Sequence, residues 1–276
     1  MFLVAVVAIG VGFRFYHLEN KVYWIDEVHA SLRASGYRKR EFADLVPRDK
    51  IISLAQLQEF QRISPQKGWD DTVAALAENA EHAPGFYLLL RGWMAAFGSS
   101  VMTTRALAAT LSLLAFPALY WLAWELFQCS QVAQLAIALL AVSPLQVLYA
   151  QEARQYSLWV VTVLVSSAAL LKAVRRQTWQ GWVLYSITIV FGFYTHLISG
   201  LVFFGHGLYL GVLEKWRWTQ RMRGYVFASL GGLGSLIPWL WVYFRYQNTI
   251  GEWQAQAIPL DALVKRWLLN LNAVFF

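Results

Sequence analysis

Seven stretches of this chain are apolar and close to the length that a bilayer demands of a helix: Met1–Leu18, Thr104–Phe127, Val132–Tyr149, Ser157–Val174, Trp179–Thr195, Leu197–Leu213 and Gly224–Phe244. A hydrocarbon core about 30 Å thick takes about 20 residues of helix, and within it every backbone N–H and C=O must be paired inside the chain. The pattern therefore predicts an all-α polytopic membrane protein with about seven transmembrane helices. Pro117 and Pro238 fall inside two of the runs, where kinks are expected because neighbouring helices can satisfy the freed carbonyls.

Composition agrees: 58% of residues are hydrophobic and only 14% charged, outside the range of soluble domains of this length. The 14 Trp and 13 Tyr suit helix ends at lipid headgroups, so a single tryptophan carries little functional meaning. The formal charge of +7 comes from Lys and Arg gathered between apolar runs. That is the pattern of loops facing anionic lipid, and no recognition motif supports nucleic-acid binding. Cys129 is the sole cysteine and excludes an internal disulfide. Met1–Leu18 lacks a basic leading segment and a small-residue cleavage site, so it reads as a retained anchor, with Arg14 snorkelling to the headgroups near its polar end.

Lys172, Arg175 and Arg176 form one basic cluster, and Lys215, Arg217, Arg221 and Arg223 a second, two spans further on. Both are expected on the cytoplasmic side. Counting back puts the amino terminus in the cytoplasm and Asp26, the 149–156 loop and the turn at His196 outside. The chain then divides into a first transmembrane helix (1–18), an external loop with interfacial helices (19–103), a six-helix bundle (104–244), and an external segment with the start of a further, truncated helix (245–276). Within the long loop, Pro84–Phe97 is apolar but too short for a full crossing and reads as an interfacial or re-entrant helix.

Four polar islands share the external side: Trp24-Ile25-Asp26-Glu27, Glu81-His82-Ala83-Pro84, Gln151 to Tyr156, and Tyr194-Thr195-His196. Charge at membrane depth is costly and usually functional. A carboxylate can take a proton from an acceptor hydroxyl while Arg154 offers a planar fork of donors to a departing phosphate, with His82 as a further donor. Together they suggest displacement at a phosphate-linked carbon. Asp26 is the expected base. Glu27 can orient it, bind an acceptor amine or a metal, or serve the fold; Glu152 reads as the structural partner of Arg154. His82 caps the short helix or contacts phosphate, His196 lines the cavity, and Arg105 faces the same crevice or snorkels. His206, within a span, reads as a hydrogen-bonded packing residue. No histidine pair has metal-ligand spacing and no Gly-rich loop precedes a Lys-Ser or Lys-Thr pair, so neither a metal nor a nucleotide cofactor is expected.

The residues resemble the integral membrane glycosyltransferases that use polyprenyl-phosphate sugars, including protein O-mannosyltransferases and lipid A aminoarabinose transferases. The likeness rests on Trp24-Ile25-Asp26-Glu27 after the first span, on His82-Ala83-Pro84-Gly85-Phe86-Tyr87-Leu88-Leu89, and on Ser143-Pro144 followed by Tyr149-Ala150-Gln151-Glu152-Ala153-Arg154-Gln155-Tyr156. The family usually carries two prolines after the histidine, where this chain has Ala83 and Pro84. The resemblance implies a catalytic Asp26 supported by Glu27, and a substrate site involving His82, Arg154, Glu152, Tyr156, His196 and Arg105. It implies a polyprenyl-phosphate sugar donor, a lipid, glycan or protein acceptor, and inversion at the sugar carbon on the non-cytoplasmic face of a membrane such as the bacterial inner membrane. The rival readings are a polytopic transporter or lipid flippase, whose internal repeats and midplane broken helices are not evident here, and a noncatalytic scaffold.

Overall fold

The computed structural model describes residues 2–47, 50–246 and 258–275, and among them the chain forms sixteen helices and no strand. The first apolar run is α1 (Phe2–Phe15). The long loop carries α2 (Ile25–Ala34), α3 (Lys39–Leu45), α4 (Leu54–Glu59), α5 (Trp69–Ala77) and α6 (Gly85–Phe97). The bundle follows as α7 (Val101–Leu113), α8 (Ala115–Phe127), α9 (Ser130–Val142), α10 (Pro144–Ala150), α11 (Tyr156–Arg176), α12 (Trp179–Thr195), α13 (Ser199–Leu213), α14 (Gln220–Gly234) and α15 (Ile237–Tyr246). The last helix is α16 (Leu260–Phe275), and residues 247–257 of the expected external segment lie outside the described residues.

Each of the seven apolar runs is helical, but prolines divide three of them. Pro117 cannot donate to the Leu113 carbonyl, and α7 gives way to α8 at Leu114. Pro144 starts α10 at 61° to α9, and Pro238 lies in the first turn of α15, bent 47° from α14. The Val132–Tyr149 run, expected as one span, is thus two helices. Among the described residues, two helical stretches are long and apolar enough to cross a membrane, 101–127 with its one-residue break at Leu114 and α11, or up to four if each bent pair counts as one. Helices α1, α12 and α13 have 14, 17 and 15 residues, which at 1.5 Å per residue is shorter than a bilayer core without tilt or thinning.

Arg14 corrects a second expectation. Instead of snorkelling, it is 1% exposed, donating to the Gly10 carbonyl at 2.7 Å, the Ala141 carbonyl at 2.6 Å and the Leu140 carbonyl at 3.1 Å. Pro144 lacks the N–H that would have answered Leu140, so the arginine of α1 supplies donors at the break in the α9–α10 backbone. Close approach makes this reach possible: a Cβ at Gly10 would stand 2.3 Å from the Ala141 oxygen.

Inside the bundle the helices meet through small residues, since lipid removes the hydrophobic drive between spans. Buried Ala169 and Ala173 lie on α11, and a Cβ at Gly181 would come within 3.2 Å of the Ala173 backbone. His206 is held as expected of a packing histidine, its Nε2 3.2 Å from Ser167 Oγ and its Nδ1 3.0 Å from Tyr185 OH.

Helix α6 packs into the core through Phe86, Tyr87, Leu90 and Met94, all at most 1% exposed. Its first residue lies against the end of α12, where a Gly85 Cβ would meet the Tyr194 oxygen at 2.5 Å. Arg91, in its middle, donates to the Ala34 carbonyl, to Thr72 Oγ1 and to the Lys67 carbonyl at 3.0, 2.8 and 2.6 Å. In its last two turns, Trp93 Nε1 donates to the carbonyl of Thr103, in the first turn of α7, at 2.9 Å. The start of α6 thus lies against the end of α12, and its last turns lie against the start of α7.

Candidate active site

The site grows from the entry to α2. Trp24 is extended, with φ −84° and ψ 167°, and offers no side-chain acceptor to the first turn. Glu27 reaches back instead, accepting from the Trp24 N–H at 3.3 Å. The same carboxylate accepts from Arg105 Nε at 2.9 Å, Arg105 Nη2 at 2.7 Å and the Ala153 N–H at 2.8 Å. Arg105 uses its remaining donors on the Leu18, Lys21 and Val22 carbonyls. Glu27 and Arg105 are 0% and 1% exposed, so this is a buried, fully hydrogen-bonded pair that fastens α2, α7 and the 151–155 loop together. Neither residue lines the cavity described next.

One residue earlier on α2, Asp26 faces open space, and its Oδ2 lies 3.6 Å from Arg154 Nη2. Arg154 Nη1 is 3.4 Å from the Asp26 carbonyl and 3.5 Å from Tyr87 OH, and its guanidinium sits over the Tyr156 ring, 5.6 Å from its centre. Asp26 and Arg154 line a cavity of about 530 Å³ whose walls come from α2 and its exit, the 79–83 linker, the 154–156 loop and the 196–198 turn. His82, Tyr156 and His196 line it too, so all four polar islands converge there.

Three histidines on the wall are pushed toward the neutral form. Burial pushes His82 down to about 3, helped by the guanidinium groups of Arg33 and Arg154. Burial likewise lowers His29 with help from Arg33, and His196 with help from Arg154. His196 is further fixed by stacking on Trp159, with ring centres 4.6 Å apart. Glu152 lies off the cavity lining, and no ion pair joins it to Arg154 among the described residues; burial raises its carboxyl, with the Glu27 charge adding to the effect.

The cavity also holds residues that the motifs did not single out: His29, Arg33, Tyr37, Arg38, Lys39 and Asn79. The signal for two of them was in the spacing, because Asp26, His29 and Arg33 recur at i, i+3 and i+7 and so share one helical face. Tyr37, Arg38 and Lys39 reach the cavity through the way α2 ends. Gly36 adopts φ +88°, which lets its own N–H donate to the Arg33 carbonyl and the Tyr37 N–H donate to the Leu32 carbonyl, both at 3.0 Å, turning the chain back across the cavity mouth.

In this cavity Asp26 can take a proton, Arg154 can hold an oxyanion, and neutral His82 can donate one N–H and accept at its other ring nitrogen. Among the described residues, no group of three His, Cys, Asp or Glu side chains is placed to hold a metal ion. Comparison with curated proteins and with solved structures gives no match. The profile of the dolichyl-phosphate-mannose-protein mannosyltransferase family matches residues 81–242, more than half of the chain, beginning at the Glu81-His82 island and taking in Arg154 and His196. The chain belongs to the dolichyl-phosphate-mannose-protein mannosyltransferase family.

Proposed function

We propose that this membrane glycosyltransferase moves a sugar from a polyprenyl-phosphate donor to an acceptor hydroxyl or amine, with inversion, in the cavity bounded by Asp26 and Arg154. The observation that carries the reading is the 3.6 Å pairing of an accessible carboxylate with a largely buried guanidinium on that cavity wall. Asp26 takes the proton of the attacking hydroxyl as the new bond to the sugar C1 forms. The C1–O bond to the phosphate breaks, its electron pair leaves with the phosphate oxygen, and Arg154 stabilises the charge that develops there. His82, neutral at working pH, donates a hydrogen bond to the same phosphate rather than a second full charge. Tyr156 and His196 shape the cavity. Glu27 and Arg105 are positioning residues that hold α2 and the 151–155 loop in register, and Glu152 serves the fold.

The geometry of α11 supports the non-cytoplasmic face. Tyr156 at its start lines the cavity, and Lys172, Arg175 and Arg176 lie at its other end. Twenty-one residues of helix put about 30 Å between the two. A basic cluster on the cytoplasmic side leaves the cavity at the opposite surface, where the donor's tail can stay in lipid while its phosphate reaches Arg154.

The test uses the protein in proteoliposomes with labelled polyprenyl-phosphate sugars. Wild type should transfer sugar, and Asp26→Asn should lose transfer by about 1,000-fold while still binding the donor, since removing a positioned base costs 10²–10⁴ in rate. Equal transfer by both proteins would overturn the assignment of the base. No transfer from any polyprenyl-phosphate sugar would overturn the donor class.

A further inference from the structure

Glu81 is a second cavity carboxylate for which the reaction above has no use. Its side chain is only 15% exposed, yet neither oxygen accepts a hydrogen bond among the described residues. Oε2 is buried with no partner, and Oε1 comes no closer than 3.8 Å to His82 Nε2. With His82 neutral, that approach is not an ion pair. The segment bearing Glu81 is firmly held: the Ala80 carbonyl accepts from Trp239 Nε1 at 3.1 Å, and the His82 N–H donates to the Asn79 carbonyl at 2.9 Å. Buried carboxylates are ordinarily met by donors, and one left without them calls for a partner from elsewhere.

The surroundings say what kind of partner. Arg33, Arg38, Lys39 and Arg154 also line the cavity, against Asp26 and Glu81 as its only carboxylates among the described residues. Arg33 is already held by Asn79 Oδ1 at 3.3 Å, Arg38 by Glu78 at 3.5 Å and Arg154 by Asp26 at 3.6 Å. A metal ion or ammonium would enter a region whose net charge is positive. A neutral ligand rich in hydroxyl donors meets no such barrier. The terminal torsion of a glutamate is soft, so the carboxylate can turn both oxygens toward one face.

Building on the transfer reaction proposed above, we infer that Glu81 is the acceptor group for hydroxyls of the donor sugar. It takes hydrogen bonds from two neighbouring hydroxyls and thereby sets which sugar is transferred. A carboxylate suits that task because its two oxygens, each with free lone pairs, match the spacing of donors on adjacent ring carbons. Asp26 works at C1 and Arg154 on the phosphate, which leaves the ring hydroxyls to the 79–83 wall.

The test uses the intact protein in proteoliposomes with polyprenyl-phosphate mannose, its epimers and analogues lacking single hydroxyls, comparing wild type with Glu81→Gln and Glu81→Asp. Wild type should discriminate against at least one deoxy analogue by roughly 10- to 100-fold, the size of a lost hydrogen bond to a charged group. In Glu81→Gln, kcat/KM for the parent sugar should fall by a similar factor and the discrimination should level, with affinity for sugar-free polyprenyl phosphate unchanged. Retained discrimination, or an equal loss of affinity for sugar-free polyprenyl phosphate, would overturn the inference. So would a divalent-cation requirement present in wild type and absent in Glu81→Gln, which would mark a cation site. Should wild type transfer nothing, the donor reading fails separately. The affinity that the sugar adds over bare polyprenyl phosphate, measured in wild type and Glu81→Gln, then decides on Glu81: an increment lost in the variant supports it, and an equal or absent increment overturns it.

Discussion

Adjacent carboxylates at the start of α2 have opposite fates. Glu27 is wholly buried and meets donors from Trp24, Ala153 and Arg105, while the Asp26 side chain is 39% exposed and lies 3.6 Å from Arg154. Removing one partner of a buried, hydrogen-bonded pair leaves an uncompensated charge and costs about 3–5 kcal/mol, whereas a half-exposed pair contributes about 0–1 kcal/mol. Glu27→Ala should therefore lower the thermal midpoint in detergent sharply and reduce the yield of folded protein, and Asp26→Asn should leave the midpoint near that of wild type. Comparable midpoints for the two variants would contradict the separation of scaffold from site. The sequence singled out both residues as one acidic pair, but adjacency in a chain says nothing of which side chain turns inward. That depends on Arg105, 78 residues away, and no local pattern carries the pairing.

At the scale of single helices, the apolar runs were legible because hydrocarbon tolerates little but helix, whereas the breaks were legible only in part. Pro117 and Pro238 announce theirs, but the 61° turn at Pro144 also needs Arg14 to satisfy carbonyls of a different helix. Arg14→Leu should destabilise the α1–α9 contact by several kcal/mol, since charge-assisted hydrogen bonds contribute about 1.5–3 kcal/mol each. A thermal midpoint equal to wild type would show that the break is satisfied without the arginine. Helix α6 poses a different case. A Cβ on Gly85 would stand 2.5 Å from the Tyr194 oxygen, with backbone on that side of the contact, so Gly85→Ala must move the start of α6 away from the end of α12. Those two segments carry His82 and His196, and their separation should widen the cavity and raise the donor KM several-fold with the fold intact. Unchanged kinetics in a correctly folded Gly85→Ala protein would mean the 79–83 wall does not follow α6.

For the molecule as a whole, the cavity is an electrostatic arrangement contributed by segments far apart in sequence, and this makes its stability depend on pH. His29, His82 and His196 lie below the ordinary imidazole value in the folded protein, each through burial first and then neighbouring guanidinium groups, with His82 at about 3. In the unfolded chain each titrates near 6.5. Above that pH both states hold these histidines neutral, and they contribute no pH dependence. Below it the unfolded chain binds protons that the folded chain refuses, so stability falls by up to about 1.4 kcal/mol per pH unit for each histidine, over a window that for His82 extends down to about pH 3. The thermal midpoint should therefore be level from pH 8 to 7 and decline from pH 6.5 to 5. His82→Asn, which keeps a polar side chain but cannot take up the proton, should flatten that decline by one histidine's share. A decline identical in wild type and His82→Asn would show that the imidazole reaches solvent and protonates in the folded state. In that case the phosphate in the proposed reaction would meet a cation at His82, and the rate of transfer should rise on acidification through the imidazole range instead of showing no effect of that residue's titration.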